Sequence, residues 1–299
     1  MNRIIVLLAA FLLCFNPQTA LCETSEEEEV LTADVPEVDE VVAKRYDKVM
    51  RKALKTGSKG DLDKAIRLID KAIGIDSTNA EGFYNRAYAY LLRGETKKAI
   101  ASLSQAIETD SVYADAYLTR GIAYAETGRD SLAIADFTKA IEIDSLFAPA
   151  YYHRGVSYYF QSEQKKAWND FSNTIKIDSL YAEAYYNRAQ IRAKEGDIEG
   201  AIADYSLAIN ADPSDAEYYV NRGNLLYGQK EYRRSIGDYN RAIHLEPEMA
   251  LAYVNRGNAR YMEKNKSEAC MDWKKALDLG YKYNTKDRRF IRQTCPTMK

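Results

Sequence analysis

The sequence predicts an all-α solenoid, and three observations carry that prediction. A unit of 34 residues, seen most clearly at 114–147, recurs down the chain without a gap. Each half of the unit places apolar residues at helical spacing: Tyr117, Gly121 and Tyr124, then Ala133, Phe137, Ala140, Ile141 and Ile143. Gly128 lies between the halves, where a helix C-cap is expected. Strand signals are missing, since there are few Val/Thr runs and no Asn-Gly or Asp-Gly turn. A two-helix unit of this size cannot bury both of its faces, so copies must stack into a continuous core.

The chain opens with a basic Arg3, an apolar run at 4–15 and a polar, small-residue segment at 16–22. This is the pattern of a secretory signal peptide spanning 1–22, too short and punctuated for a membrane-spanning helix. No transmembrane segment is expected in the mature chain, and an exported, periplasmic or secreted protein follows. Acylation of Cys22 as a lipid anchor is the alternative. Leu21 precedes Cys22 where a lipoprotein signal wants a small residue, whereas the acidic run after it favours the anchor. Residues 23–42 carry nine acidic side chains and no basic one, with Pro36 among them. They read as a solvated, disordered arm or linker.

The repeats occupy 43–283, in seven copies at 46–79, 80–113, 114–147, 148–181, 182–215, 216–249 and 250–283. The fourth position reads Val49, Phe83, Tyr117, Tyr151, Tyr185, Tyr219 and Tyr253. The eighth is Gly or Ala, the twentieth Ala in all copies but one, where it is Ser235. The twenty-fourth reads Ile69, Leu103, Phe137, Phe171, Tyr205, Tyr239 and Trp273. Small residues create holes and the aromatics fill them. The first copy is atypical, as a terminal repeat should be. The fourth departs at Ser162, Trp168 and Thr174.

This spacing of aromatic, Gly and Ala resembles the tetratricopeptide repeat family. The resemblance implies a right-handed α-solenoid, a superhelix of about seven helix-turn-helix repeats closed by a C-terminal capping helix. The family's proline at position 32 survives only as Pro213 and Pro247. Elsewhere Asp-Ser pairs such as Asp110-Ser111 keep the turn by folding onto backbone donors. Position 7, Leu in the family pattern, is Arg in six copies, from Arg86 to Arg256. Position 23 is Asp in five and Ser102 in the second. An Arg–Asp pair is expected within a repeat or between neighbours, favouring register over net stability. An Arg ladder for an anionic ligand is the alternative.

Residues 284–299 carry Thr285 as a helix cap, Phe290 and Ile291 as an apolar side and Pro296 as a stop, as a capping helix would. Cys270, at a position that is mostly Ile, falls near this cap. With export leaving Cys270 and Cys295 as an even pair, a Cys270–Cys295 disulfide is expected. It would contribute about 3 kcal/mol in the chain-entropy model.

No catalytic or metal-binding constellation emerges. The two histidines, His153 and His244, fall in different copies, and CxxC, HExxH, phosphate-loop and GxSxG motifs are lacking. No cofactor is expected. The net charge of -2 gives no field for nucleic acid.

What remains is the concave groove that the resemblance assigns to the first helix of each repeat. Its candidates are Tyr84, Asn85, Tyr88, Thr119 and Ile122, then Tyr152, His153, Tyr159, Phe160, Tyr186, Asn187 and Gln190, then Asn221, Asn224, Tyr227, Asn255, Asn258 and Tyr261. An amide offers both a donor and an acceptor, which suits the backbone of an extended peptide. Tyr adds rigid contact area with a polar tip. The alternative is that the position-6 Asn row bonds within its own array. Position 9 has no Lys or Arg beyond the first copy, so the family's clamp for acidic C-termini is not carried over. The reading is a non-catalytic scaffold binding a protein or extended peptide in the cell envelope. A structural part of an envelope assembly, acting through the convex face and ends, is the alternative, with self-association through the charged ends. A carbohydrate- or small-ligand-binding protein or an enzyme comes last.

Overall fold

The computed structural model describes residues 40–296. The leader at 1–22 and the acidic stretch up to residue 39 lie outside the described residues. Among those described there are fifteen α-helices and no strand. The chain divides into two compact units, the first ending at Ser145 and the second beginning at Leu146.

The first unit holds α1 (Glu40–Gly57), α2 (Leu62–Ile73), α3 (Ala80–Leu92), α4 (Thr96–Thr109), α5 (Ala114–Glu126) and α6 (Asp130–Ile143). The second holds α7 (Ala148–Phe160), α8 (Gln164–Ile177), α9 (Ala182–Glu195), α10 (Ile198–Ala211), α11 (Ala216–Gly228), α12 (Tyr232–Leu245), α13 (Ala250–Met262), α14 (Lys266–Asp278) and α15 (Thr285–Thr294). Within each unit every helix packs on the next in sequence. None of these helices is long and apolar enough to cross a membrane.

Helix α1 starts at Glu40, inside the stretch expected to be linker (23–42), and runs through Tyr46 and Met50, both buried. Those two apolar anchors stabilise the additional helical turns ahead of the first counted copy.

Small residues are where the packing demands them. A Cβ on Gly121 would lie 2.6 Å from Phe137 Cε1, and one on Gly257 2.6 Å from Trp273 Nε1. Ala53, Ala87, Ala99, Ala133 and Ala140 are fully buried, as are Leu103, Phe137 and Phe171 at the facing position. In the fourth copy Thr174 is fully buried and satisfies its hydroxyl on the Asp170 carbonyl at 3.0 Å.

The turn inside each helix pair places its fifteenth residue in the left-handed region. Gly60, Gly94, Gly128 and Gly196 have φ of 84, 74, 73 and 89°. Ser162, Lys230 and Lys264 adopt the same conformation at 64, 64 and 66°, where a Cβ is strained. Between pairs, Asp76, Asp110, Asp178 and Asp212 each accept from the backbone N–H two residues on, at 2.9 to 3.0 Å. The expected Asp turn chemistry is present.

Helix starts are handled in two ways. Asn79 and Asp215 cap α3 and α11 with side-chain oxygens. Tyr113 and Tyr181 occupy the equivalent position without a side-chain cap. Their rings stack instead on Tyr84 and Tyr152, with centroids 5.2 and 4.9 Å apart.

At the C-terminus Asn284, not Thr285, caps α15: its Oδ1 accepts from Asp287 N at 2.9 Å, and Thr285 is the first helical residue. The expected Cys270–Cys295 disulfide joins α15 to α14, with Cα atoms 5.7 Å apart. Ile291 and Cys295 are buried in the same cluster as Trp273.

Candidate functional site

The first helix of each pair carries two rows of polar side chains, and the structure separates them by role. The Arg row is structural. Arg120, Arg188, Arg222 and Arg256 each make a two-pronged contact with the Asp sixteen residues on, at 2.6 to 3.0 Å. Arg154 does the same with Asp170. The pair is therefore inside a repeat. These carboxylates are buried, at 1% exposure for Asp204. Hydrogen bonding to Asp238 raises the Arg222 pKa.

Four of these guanidinia also reach back. Arg120 Nη1 donates to Ser104 Oγ at 3.0 Å, Arg188 to Ser172 at 3.2 Å, Arg222 to Ser206 at 2.9 Å and Arg256 to Asn240 at 2.8 Å. Arg86 uses Ser102 and, in the preceding copy, Asp70. The acceptors in the preceding copy all occupy position 25, which sequence reasoning missed. The signal is there: Asp70, Ser104, Ser172, Ser206 and Asn240 are all short acceptors. With its fork divided between two repeats, the Arg row is occupied rather than open to an anionic ligand.

The groove candidates divide by burial. In the first unit Tyr84, Asn85 and Thr119 are buried, while Tyr88 and Ile122 are half-buried. In the second, His153 is buried; Tyr152, Tyr159, Tyr186, Asn187, Gln190, Asn221, Tyr227, Asn255, Asn258 and Tyr261 are half-buried; Phe160 and Asn224 are exposed. The four buried residues are a correction to the groove as read from sequence. Tyr84 Oη and Thr119 Oγ1 share a hydrogen bond at 3.3 Å, and Asn85 donates to Glu81 at 3.3 Å. His153 lies edge-on to Tyr152 at 5.2 Å. Burial lowers its pKa to about 4, so it is neutral at pH 7.

The Tyr84–Thr119 contact is one rung of a pattern. Position 5 of one copy meets position 6 of the next. Asn187 Nδ2 donates to Tyr152 Oη at 3.2 Å, and Asn221 Nδ2 to Tyr186 Oη at 3.4 Å. Asn221 also donates to the Glu217 carbonyl at 2.9 Å. Tyr186 donates to Glu217 at 3.2 Å, and burial followed by Glu217 raises its pKa. Thr119, Asn187 and Asn221 at position 6 thus have bonding partners inside their own array. Further along the face Tyr159 Oη donates to Gln190 at 3.4 Å.

Position 9 follows position 24. Where the buried residue is Phe137 or Phe171, position 9 is apolar: Ile122 or Val156. Where it has a polar tip, position 9 is an amide: Gln190 beside Tyr205, then Asn224 and Asn258. Tyr239 Oη donates to Asn224 Oδ1 at 2.9 Å, and Trp273 Nε1 to Asn258 Oδ1 at 3.1 Å. Asn255 Nδ2 donates to the same Asn224 oxygen at 2.9 Å. These residues line an open cleft of about 400 Å³ formed by Asn224, Tyr227, Tyr239, Leu251, Asn255 and Asn258. A second open cleft, at α15, is lined by Thr285, Arg288, Arg289, Arg292 and Gln293.

Comparison with known proteins agrees with this architecture. A TPR repeat model matches residues 87–128 and 189–230, and tetratricopeptide repeat models match 220–278 and 114–145. No curated protein sequence matches the chain. Among solved structures, a tetratricopeptide repeat protein from Parabacteroides merdae is 21% identical, with a TM-score of 0.58 over 84% of this chain and 98% of that one. MamA is 28% identical, with a TM-score of 0.50 over 56% of this chain and 97% of its own. YrrB, described as a TPR protein with an unusual peptide-binding site, is 20% identical, with a TM-score of 0.54 over 66% and 98%.

Proposed function

The chain belongs to the tetratricopeptide repeat family, and from that premise we propose that it is a non-catalytic scaffold, binding a protein or an extended peptide along the first-helix face of its second unit. Proteins of this family generally mediate protein–protein interactions. One observation supports this face above the rest: the solvent-open cleft at α11–α13, where three amides and two tyrosines surround Leu251, itself 47% exposed. Phe160, 58% exposed beside Tyr159, adds apolar contact area on α7. We place the protein in the cell envelope. The leader pattern at 1–22 and the Cys270–Cys295 disulfide support an oxidising compartment.

A second reading, assembly through the chain ends, is favoured by α15. Arg288, Arg289 and Arg292 line its cleft and make no ion pair among the described residues. The acidic run at 23–42 of another copy has the complementary charge.

One experiment separates the two. A photocrosslinking residue is placed in cells at 160, 227, 289 or, as a control, at the exposed Leu207 of α10. Discrete adducts with another protein from 160 and 227, and none from 207, are expected. Adducts from 289 alone, with the chain itself as the captured species, would overturn the groove in favour of the ends.

A further inference from the structure

The turns that join one helix pair to the next carry a triplet that the fold does not require. Three of them read Asp-Ser-aliphatic: Asp110-Ser111-Val112, Asp144-Ser145-Leu146 and Asp178-Ser179-Leu180. Asp110 and Asp178 accept from the N–H of Val112 and Leu180 at 3.0 and 2.9 Å, and Asp144 shares their extended backbone, with φ −128° and ψ 101°. In the fifth copy Asp212 makes the same contact to Ser214 N at 2.9 Å across Pro213, which has no hydroxyl. The sixth copy has Glu246-Pro247-Glu248 there. Neither the middle Ser nor the aliphatic third residue is therefore needed to make the turn.

Both are presented to solvent. Ser111, Ser145 and Ser179 are exposed, and their hydroxyls make no hydrogen bond among the described residues. One place later in such turns a hydroxyl is tied down: Thr78 and Ser214 donate to Asp76 and Asp212 at 2.7 and 2.6 Å. Beside the free serines, Val112, Leu146 and Leu180 are 68 to 74% exposed, more than any other large hydrophobic residue among those described. Such a side chain gains nothing until another surface buries it. A free hydroxyl between a fixed carboxylate and a protruding apolar handle, made three times over, is what an enzyme that modifies serine can read. The Asp also bears on the group added. A phosphate would bring about −1.5 to −2 charges against that carboxylate and is disfavoured. A sugar brings hydroxyl donors from which the carboxylate can accept.

We infer that Ser111, Ser145 and Ser179 are acceptor sites for O-glycosylation, read by a transferase through the Asp and the exposed aliphatic residue. The serine Oγ attacks the anomeric carbon of a sugar diphosphate carried on a polyisoprenoid lipid. The Oγ–C bond forms, the bond from that carbon to the diphosphate oxygen breaks, and the lipid diphosphate leaves with the electron pair. The serine proton passes to a base on the transferase. Such modification goes beyond the binding face proposed above and rests on that proposal only for the placement in the envelope, where lipid-linked sugars are met.

For the test, the full chain is purified from the cells that make it and digested, and its peptides are sequenced by electron-transfer mass spectrometry, which leaves side-chain additions in place. Sugar-sized additions at Ser111, Ser145 and Ser179 are expected. Bare serines, or an addition of one phosphate, would overturn the inference. Fractionation of the same cells separates the two proposals: bare protein found in the envelope leaves the placement standing, and bare protein found in the cytosol removes both.

Leu180→Glu tests the handle. It keeps Ser179 and the Asp178 contact to the backbone, and the sixth copy already carries Glu248 at this place. Occupancy at Ser179 should fall at least about tenfold relative to Ser111 in the same molecule, with the melting temperature little changed. Equal occupancy would remove the aliphatic residue as a recognition element. Asp130-Ser131-Leu132 repeats the triplet, with Ser131 exposed, but in the first turn of α6. Ser131 should stay bare, and occupancy equal to that of the three turns would overturn the part the turn plays.

Discussion

The α3–α4 and α11–α12 helix pairs have the same backbone plan and solve it with different side chains. Arg86 meets a neutral hydroxyl, Ser102; Arg222 meets a buried carboxylate, Asp238. Ala87 faces Leu103, whereas Gly223 faces Tyr239, and a Cβ on Gly223 would lie 2.8 Å from the Tyr239 ring. Tyr88 stands where Asn224 takes the Tyr239 hydroxyl. Gly94 makes the left-handed turn that Lys230 makes under strain. The repeat therefore does not demand a residue at each position. It demands matched sets, and substituting one member of a set is what costs stability.

The largest contrast should come from the arginines. Arg222→Ala strands the Asp238 carboxylate and should lose about 3 kcal/mol in urea unfolding. Arg86→Ala frees only neutral partners, Ser102 and Gln105, and an exposed Asp70, and should lose about 1 kcal/mol. Equal losses would break the distinction between the two pairs. Next comes the ring. Gly223→Ala should cost about 2 kcal/mol by overpacking against Tyr239. Adding Tyr239→Leu, which recreates the Ala87/Leu103 pairing, should cost less than the two changes summed. Strict additivity would show that the positions are not a set. The fifth copy, where Ala189 coexists with a buried Tyr205, shows that some relaxation is available. The smallest effect concerns the turn. Lys230→Gly should raise stability by about 1 kcal/mol, seen as a higher melting temperature, and Gly94→Lys should lower it by a similar amount.

Much of this was legible in the chain itself. The helices follow from the period, the Arg–Asp pairs from their recurrence at positions 7 and 23, and the disulfide from the leftover cysteines. The groove was less legible, because Asn and Tyr look the same whether they serve a ligand or a neighbouring repeat. Tyr84 and Thr119 are buried because they bond each other across 35 residues of sequence, and only three dimensions reveal that. The position-25 acceptors escaped notice for the opposite reason: Asp70, Ser104 and Asn240 differ in name and share only a function. The link between positions 9 and 24 was visible in Ile122/Phe137 against Asn258/Trp273, had the two columns been read together. The α1 start at Glu40 was hidden by an acidic run that resembled linker.

The divided reach of the arginines bears on how the second unit comes apart. Arg188, Arg222 and Arg256 each hold their own helix pair with one side of the fork and the preceding pair with the other. Losing one pair removes a donor that its predecessor relies on, so nearest-neighbour coupling is built into the side chains as well as the apolar contacts. Under heat or a pulling force, a melting front that enters at one repeat would find the next already loosened.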